Sequence, residues 1–252
     1  FPQLIAGPIM RALDFLPQIS IKKTKDIDWQ HVVKMLILGY FLKMVIADNL
    51  MDMTNYIQYP NFTYFSAYTL GMLLLAYSIQ IFADFAGYSI IAIGLASLFG
   101  YKLVVNFRFP YVANSFSDFW RRWHISLSSW LRDYLYFPLG GNRTCNSRTY
   151  LNLFIVMFLG GLWHGAAWSY AVWGTFHGIL LALERLFKSY NLKLKIHNTI
   201  KVAFVFICVT FGWLLFKLPN FEEVILFLKT AYQNFYFEEI NKRYGIFILI
   251  YT

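Results

Sequence analysis

The segment GLWHGAAWSYAVWGTFHG, residues 161–178, sets His164 and His177 among glycines and tryptophans in a strongly apolar part of the chain. An imidazole in such surroundings can move a proton, hold a metal, or join helices through a hydrogen bond. Gly161 and Gly165 leave room beside the His164 ring for a substrate, and Trp163 and Trp168 can wall that room from lipid. His164 therefore reads either as a general base or as a structural histidine hydrogen-bonded within a helix bundle. If a helix restarts after Gly160-Gly161, His164 falls in its first turn, where the positive end of the dipole favours the neutral ring that a base requires. His177 follows thirteen residues later, nearly opposite on a continuous helix, so the two rings are not expected to serve one atom. His177 has no matching aromatic walls and reads as structural.

A second stretch with chemical potential is NSFSDFWRRWHISLSSWLRDYLYFPLGGNR, residues 114–143. Ser115 followed three residues on by Asp118 makes an N-terminal capping arrangement, which predicts a helix through about Leu135. On that helix Arg121, Ser128 and Arg132 fall on one line with His124 beside it, while tryptophans and leucines cover much of the remainder. Two successive arginines, Arg121 and Arg122, suit an anionic phosphate group on a substrate or lipid. An interfacial helix whose arginines reach up to lipid phosphates fits the composition as well. His124, His164 and His177 show no ligand-like spacing and no adjacent carboxylate, so no metal is expected. No GxSxG elbow, phosphate-binding loop, HExxH or CxxC pair occurs, and His31 and His197 read as solvated borders.

The elements that must position these residues belong to a membrane. The 252 residues are 58% hydrophobic, 21% aromatic and only 14% charged, against about 25% charged in soluble domains. The net charge of +9 is broken up by apolar segments, which points to cytoplasmic loops rather than to nucleic acid. Cys145 and Cys208 form neither a disulfide framework nor a zinc pair. Basic residues 21–34 read as a cytoplasmic flank, VVKMLILGYFLKMVIADNL as a crossing with Lys43 facing protein or snorkelling, and residues 51–66 as an outside loop. Residues 67–100, interrupted by Asp84 and Gly87, predict a crossing plus a re-entrant piece. Residues 151–184 lie between two basic flanks and are expected to enter and return, with Gly160-Gly161 or Gly165 near the bend. IKVAFVFICVTFGWLLF is a plain spanner. The expectation is one membrane domain over residues 1–252, a fragment cut at both ends, with core motifs in 1–180 and C-terminal spanners in 200–252.

DFWRRWHISLSSWLRDYLYFPLGGNR followed by GLWHGAAWSYAVWGTFHG resembles the membrane-bound O-acyltransferase family, in its bacterial alginate O-acetylation branch. FPQLIAGPI and QIFADFAGYSIIAIGLASLFGYKLVVNFRFPY resemble the same branch. The similarity runs to about residue 180, and from Lys188 onward only hydropathy carries it. Related teichoic acid D-alanylation proteins have Asn in place of Arg121 and lack LGGNR, which sets this sequence with the acetylating branch. The resemblance implies an all-α, polytopic bundle with short, tilted or re-entrant helices around a central tunnel. It matches the family's invariant histidine to His164 and a second functional histidine to His124. Trp163, Asp118, Arg121, Arg122, Asp84 and Ser128 are the expected tunnel or substrate contacts.

The resemblance further implies a multi-pass protein of the bacterial cytoplasmic membrane that binds no cofactor and takes acetyl-CoA or another acyl thioester as donor. The acetyl group would pass to an extracytoplasmic acceptor protein or transferase, and so indirectly to a polysaccharide. The competing class is a non-catalytic transport or scaffold subunit of a polysaccharide complex. Transporters usually carry repeated halves with interrupted helices, and no repeat is visible here.

Overall fold

The computed structural model describes residues 7–143, 145–190 and 196–235. The first six residues of the FPQLIAGPI motif, and the expected spanner beyond residue 236, lie outside the described residues. Those described form helices and connecting turns, with no β-strand among them. Among the described residues three helices are long and apolar enough to cross a membrane: α1 (Trp29–Ile57), α2 (Ala67–Leu98) and α7 (Asn198–Lys217). Their outer faces expose large apolar side chains, such as Ile37 and Ile207, as lipid contact requires.

Helix α1 opens where the Asp28 carboxylate accepts from the His31 amide at 2.9 Å. Midway it widens to π geometry over Phe41–Ala47, a distortion that re-aims side chains and is common at functional sites. Helix α2 departs from the expected crossing plus re-entrant piece. It runs unbroken through Asp84 and Gly87 for 32 residues, about 48 Å at helical rise. Gly87 is a packing residue rather than a breaker: a Cβ there would lie 2.9 Å from both Gly39 O and Lys43 N on α1. That close approach offsets the ~1 kcal/mol that a helical glycine costs. The helix stops at Gly100, whose φ of +75° lets the Tyr101 amide reach Ala96 O at 2.9 Å.

The helix expected from Ser115 through Leu135 is two helices, α3 (Phe116–Arg122) and α4 (Ile125–Leu131), the latter continuing as a π turn over Arg132–Tyr136. The predicted cap is present, with the Asp118 amide donating to Ser115 Oγ at 3.1 Å. Between the two helices Trp123 is extended and His124 is left-handed, at φ 44° and ψ 54°. The break dissolves the line of Arg121, Ser128 and Arg132.

Helices α5 (Asn146–Leu162) and α6 (Trp168–Ser189) form the antiparallel hairpin expected over residues 151–184. Gly165 lies in its bend. Gly160 and Gly161 do not: they stay inside α5, where a Cβ on Gly161 would meet Tyr170 O at 2.2 Å. One on Gly174 of α6 would meet Met157 O at 2.1 Å, so the hairpin is built on direct backbone contact. Helix α8 (Phe221–Gln233) packs against α2 and α7. The core gathers Leu50, Phe62, Leu73, Phe119, Trp123 and Trp213 from α1, α2, α3 and α7 and the turns between them.

A candidate active site lined by two histidines

Two chain breaks supply the site. His124 sits at the α3–α4 junction, held left-handed at a cost of roughly 1–2 kcal/mol for a residue with a Cβ. His164 sits in the α5–α6 bend, where its amide reaches back to Gly161 O at 3.0 Å. It is therefore not in the first turn of a restarted helix, as the glycine pattern predicts, because Gly161 packs on α6 and α5 runs on through both glycines to Leu162. The dipole contribution expected for it is lost with that placement.

Both histidines line one cavity of about 760 Å³, together with Lys43, Asp84, Phe85, Trp163, Trp173, Trp213 and Phe216. The size suits a drug-sized or nucleotide-sized ligand. Trp163 links the two rings, its centroid 6.2 Å from that of His124 and 5.1 Å from that of His164. His164 is further enclosed edge-on by Trp173 at 5.3 Å and Phe216 at 5.2 Å, and Phe85 stands edge-on to His124 at 4.7 Å. Trp168, expected as a wall, points outward and is 77% exposed; Trp173, Trp213 and Phe216 take its place. The His164 ring lies in the cavity lining, within reach of a ligand there.

Another part of the lining carries charge. Lys43 Nζ lies 2.7 Å from a carboxylate oxygen of Asp84 and 2.7 Å from one of Asp48. The Gly39–Gly87 contact between α1 and α2 brings this cation, which lies within the π segment, to Asp84. A lysine in mid-segment was the available sequence signal, yet its cavity-facing role depends on α2. Ionisable groups at this depth characteristically face a protein cavity and pair.

Of the expected contacts, Trp163 and Asp84 join His124 and His164 at the cavity. Asp118, Arg121, Arg122 and Ser128 do not line it. Asp118 pairs with Arg122 at 2.9 Å, and Arg122 also donates to Arg108 O at 3.3 Å, so these two brace the α3 end. Arg121 is exposed. Ser128 Oγ donates to Trp123 O at 3.2 Å and closes the helix break. Asp118, Arg121 and Arg122 all lie on α3, ahead of the turn at His124, and Ser128 lies on α4 beyond it. His177 is wholly buried, off the cavity, among Phe119, Trp120, Trp173 and Phe176, with no hydrogen-bond partner for either nitrogen among the described residues. Among the described residues no three His, Cys, Asp or Glu side chains converge as metal ligands.

On the loop side of α4, Arg11 pairs with Asp133 and donates to Ser129 O at 3.3 Å. Arg132, 2.7 Å from the same carboxylate, and then Arg11 hold the Asp133 carboxyl below the usual range.

A bend histidine and a junction histidine thus line one tryptophan-walled cavity within an apolar helical bundle. The profile of the membrane-bound O-acyltransferase family matches residues 1–218, and the chain belongs to that family. The match continues to residue 218, past the point near residue 180 where recognisable motifs end. The chain is 44% identical over 222 residues to the probable alginate O-acetylase of Pseudomonas putida, covering 87% of this chain and 45% of that protein. It is 38% identical to the peptidoglycan O-acetyltransferase of Helicobacter pylori, covering 91% and 44%. To the teichoic acid D-alanyltransferase of Bacillus subtilis it is 30% identical, covering 86% and 59%. The chain thus spans about half the length of the curated relatives it matches.

Proposed function

We propose that the protein to which this chain belongs is a multi-pass O-acetyltransferase of the bacterial cytoplasmic membrane. It takes an acetyl group from a cytoplasmic thioester, acetyl-CoA by the resemblance, and delivers it to a hydroxyl on an extracytoplasmic acceptor protein or transferase. That partner then acetylates a polysaccharide. The observation that carries the reading is the shared cavity, in which the His164 ring faces open space beside His124 and Trp163. Acetyl rather than D-alanyl transfer is favoured by the higher identity to the acetylating relatives and by the LGGNR element.

In the step, a neutral His164 accepts the hydroxyl proton as the oxygen attacks the thioester carbonyl. The tetrahedral oxyanion forms beside His124, whose ring N–H stabilises it. The C–S bond then breaks, and His164 returns its proton to the departing thiolate, leaving an ester and a free thiol. General-base action of this kind contributes about 10²–10⁴ in rate, and an oriented oxyanion donor about 10²–10³. The aromatic walls exclude water that would hydrolyse the thioester.

The test is His164→Ala in cells producing the full-length protein, with membrane insertion verified. Base-labile acetate on exported and envelope glycans should vanish while polymer export continues. Reduced export of polymer that stays acetylated would instead identify a transport or scaffold subunit.

A further inference from the structure

We infer that Asn106, which touches no part of the cavity, is the positioning residue that holds His124 there. This assignment deepens the proposed acyl transfer and rests on His124 having a role in it. His124 occupies the N-cap position of α4 but makes no side-chain capping bond, which leaves its ring free for the cavity. The amides of the first helical turn nevertheless need acceptors, above all when buried. Asn106 supplies them from a distant segment. Its backbone carbonyl accepts from the Ile125 amide at 2.9 Å, and its Oδ1 accepts from the Ser126 amide at 3.2 Å and Ser126 Oγ at 2.6 Å.

The neighbouring chain completes the clamp. The Arg108 amide donates to Arg122 O at 3.0 Å on the far side of the break, and the Ile9 amide donates to Ser126 Oγ at 3.0 Å. Asn106 is 1% exposed and His124 3% exposed, so water cannot replace the lost acceptor. A left-handed residue with a Cβ persists only where its surroundings over-determine it. Without the carboxamide, the turn relaxes to an ordinary conformation and the imidazole leaves its place against Phe85 and Trp163.

Brief diethyl pyrocarbonate labelling of membranes holding the full-length protein, read residue by residue by mass spectrometry, tests this without any acyl acceptor. Asn106→Leu should raise labelling of His124 about 5- to 30-fold, the population change that release of left-handed strain allows. His164 should keep its rate and His177 should stay protected. Ser126→Ala, which removes one of the two bonds to Oδ1, should shift His124 the same way by less, and it carries the test if Asn106→Leu fails to insert. Unchanged His124 labelling, or His124 and His177 rising together as in general loosening, overturns the inference. Glycan acetate gives the second readout: Asn106→Leu and His124→Ala should each lower it, and the pair no further than His124→Ala alone, whereas additive losses would mark Asn106 as merely structural. If labelling behaves as expected but His164→Ala leaves acetate intact, the proposed function fails and the positioning stands. If His164→Ala abolishes acetate while labelling is unmoved, the positioning alone fails.

Discussion

Gly161→Ala is the smallest change that separates the two halves of the site. A Cβ at this position would lie 2.2 Å from the carbonyl oxygen of Tyr170, against 3.4 Å where ordinary contact begins. The α5–α6 hairpin must therefore open by about 1.2 Å, the difference of those distances. The obstructing atom is backbone, so no rotamer relieves it. Overpacking of this kind costs about 1–3 kcal/mol, against which alanine returns up to ~1 kcal/mol in helix propensity. The larger effect is on function. Gly161 lies in the last turn of α5, three residues before His164, so the opening moves the His164 ring relative to His124. A misplacement near 1 Å costs about 10²-fold in rate. Acetate per unit of exported glycan should fall by about that factor, while thermal unfolding in detergent shifts only a few degrees. Gly71→Ala, with nothing within 4 Å of its Cβ, is the control and should leave acetate unchanged. Wild-type acetylation by Gly161→Ala would refute the claim that hairpin contact sets the site.

The remaining predictions concern charge. Lys43→Met leaves Asp48 and Asp84 facing each other without their cation, and should lower detergent stability by about 1–2 kcal/mol, below the ~3–5 kcal/mol of a fully buried pair because these groups are partly exposed. Asp84→Asn keeps the Lys43–Asp48 pair and should cost less than ~1 kcal/mol; equal losses in unfolding measurements would disprove the shared-cation arrangement. Asp133 has a carboxyl held low in the folded protein by Arg132 and Arg11, so its stabilising effect is present above the usual carboxylate range near pH 4 and disappears as pH falls through the lower folded value. Asp133→Asn should therefore reduce thermal stability at neutral pH and converge with the parent in acid, and a constant difference across that range would contradict the pairing.

Much of the architecture was legible because its signals are local. Apolar runs of sufficient length marked α1 and α7, Ser115 with Asp118 marked the start of α3, and two basic flanks marked the hairpin around Gly165. What failed were inferences that treat a residue as if its neighbours in sequence were its neighbours in space. Gly87 and Gly160-Gly161 read as breakers in a one-dimensional pattern. In the fold Gly87 and Gly161 each face a second helix whose backbone fills the missing side chain, and Gly160 packs on the Leu131 side chain, so the helices continue. Asp84 read as an interruption for a like reason, and in the fold Lys43 of α1 neutralises it within an unbroken α2.

The sequence by itself determined the membrane class and the singling out of His164, because hydropathy and residue type are intrinsic to the chain, while the all-α bundle and the role of His124 came through the family resemblance its motifs carry. Only the tertiary structure decided that Lys43 and Asp84 line one cavity with the histidines, while Arg121, Arg122, Asp118 and Ser128 lie outside its lining. The direction of the His124 ring depends on hydrogen bonds that Asn106 accepts from Ser126, twenty residues away, and on one that the Ile9 amide donates to Ser126 from more than a hundred residues away. A left-handed turn that α3 and α4 do not favour locally is stable only once those distant acceptors and donors are in place, and no periodicity along the chain records it.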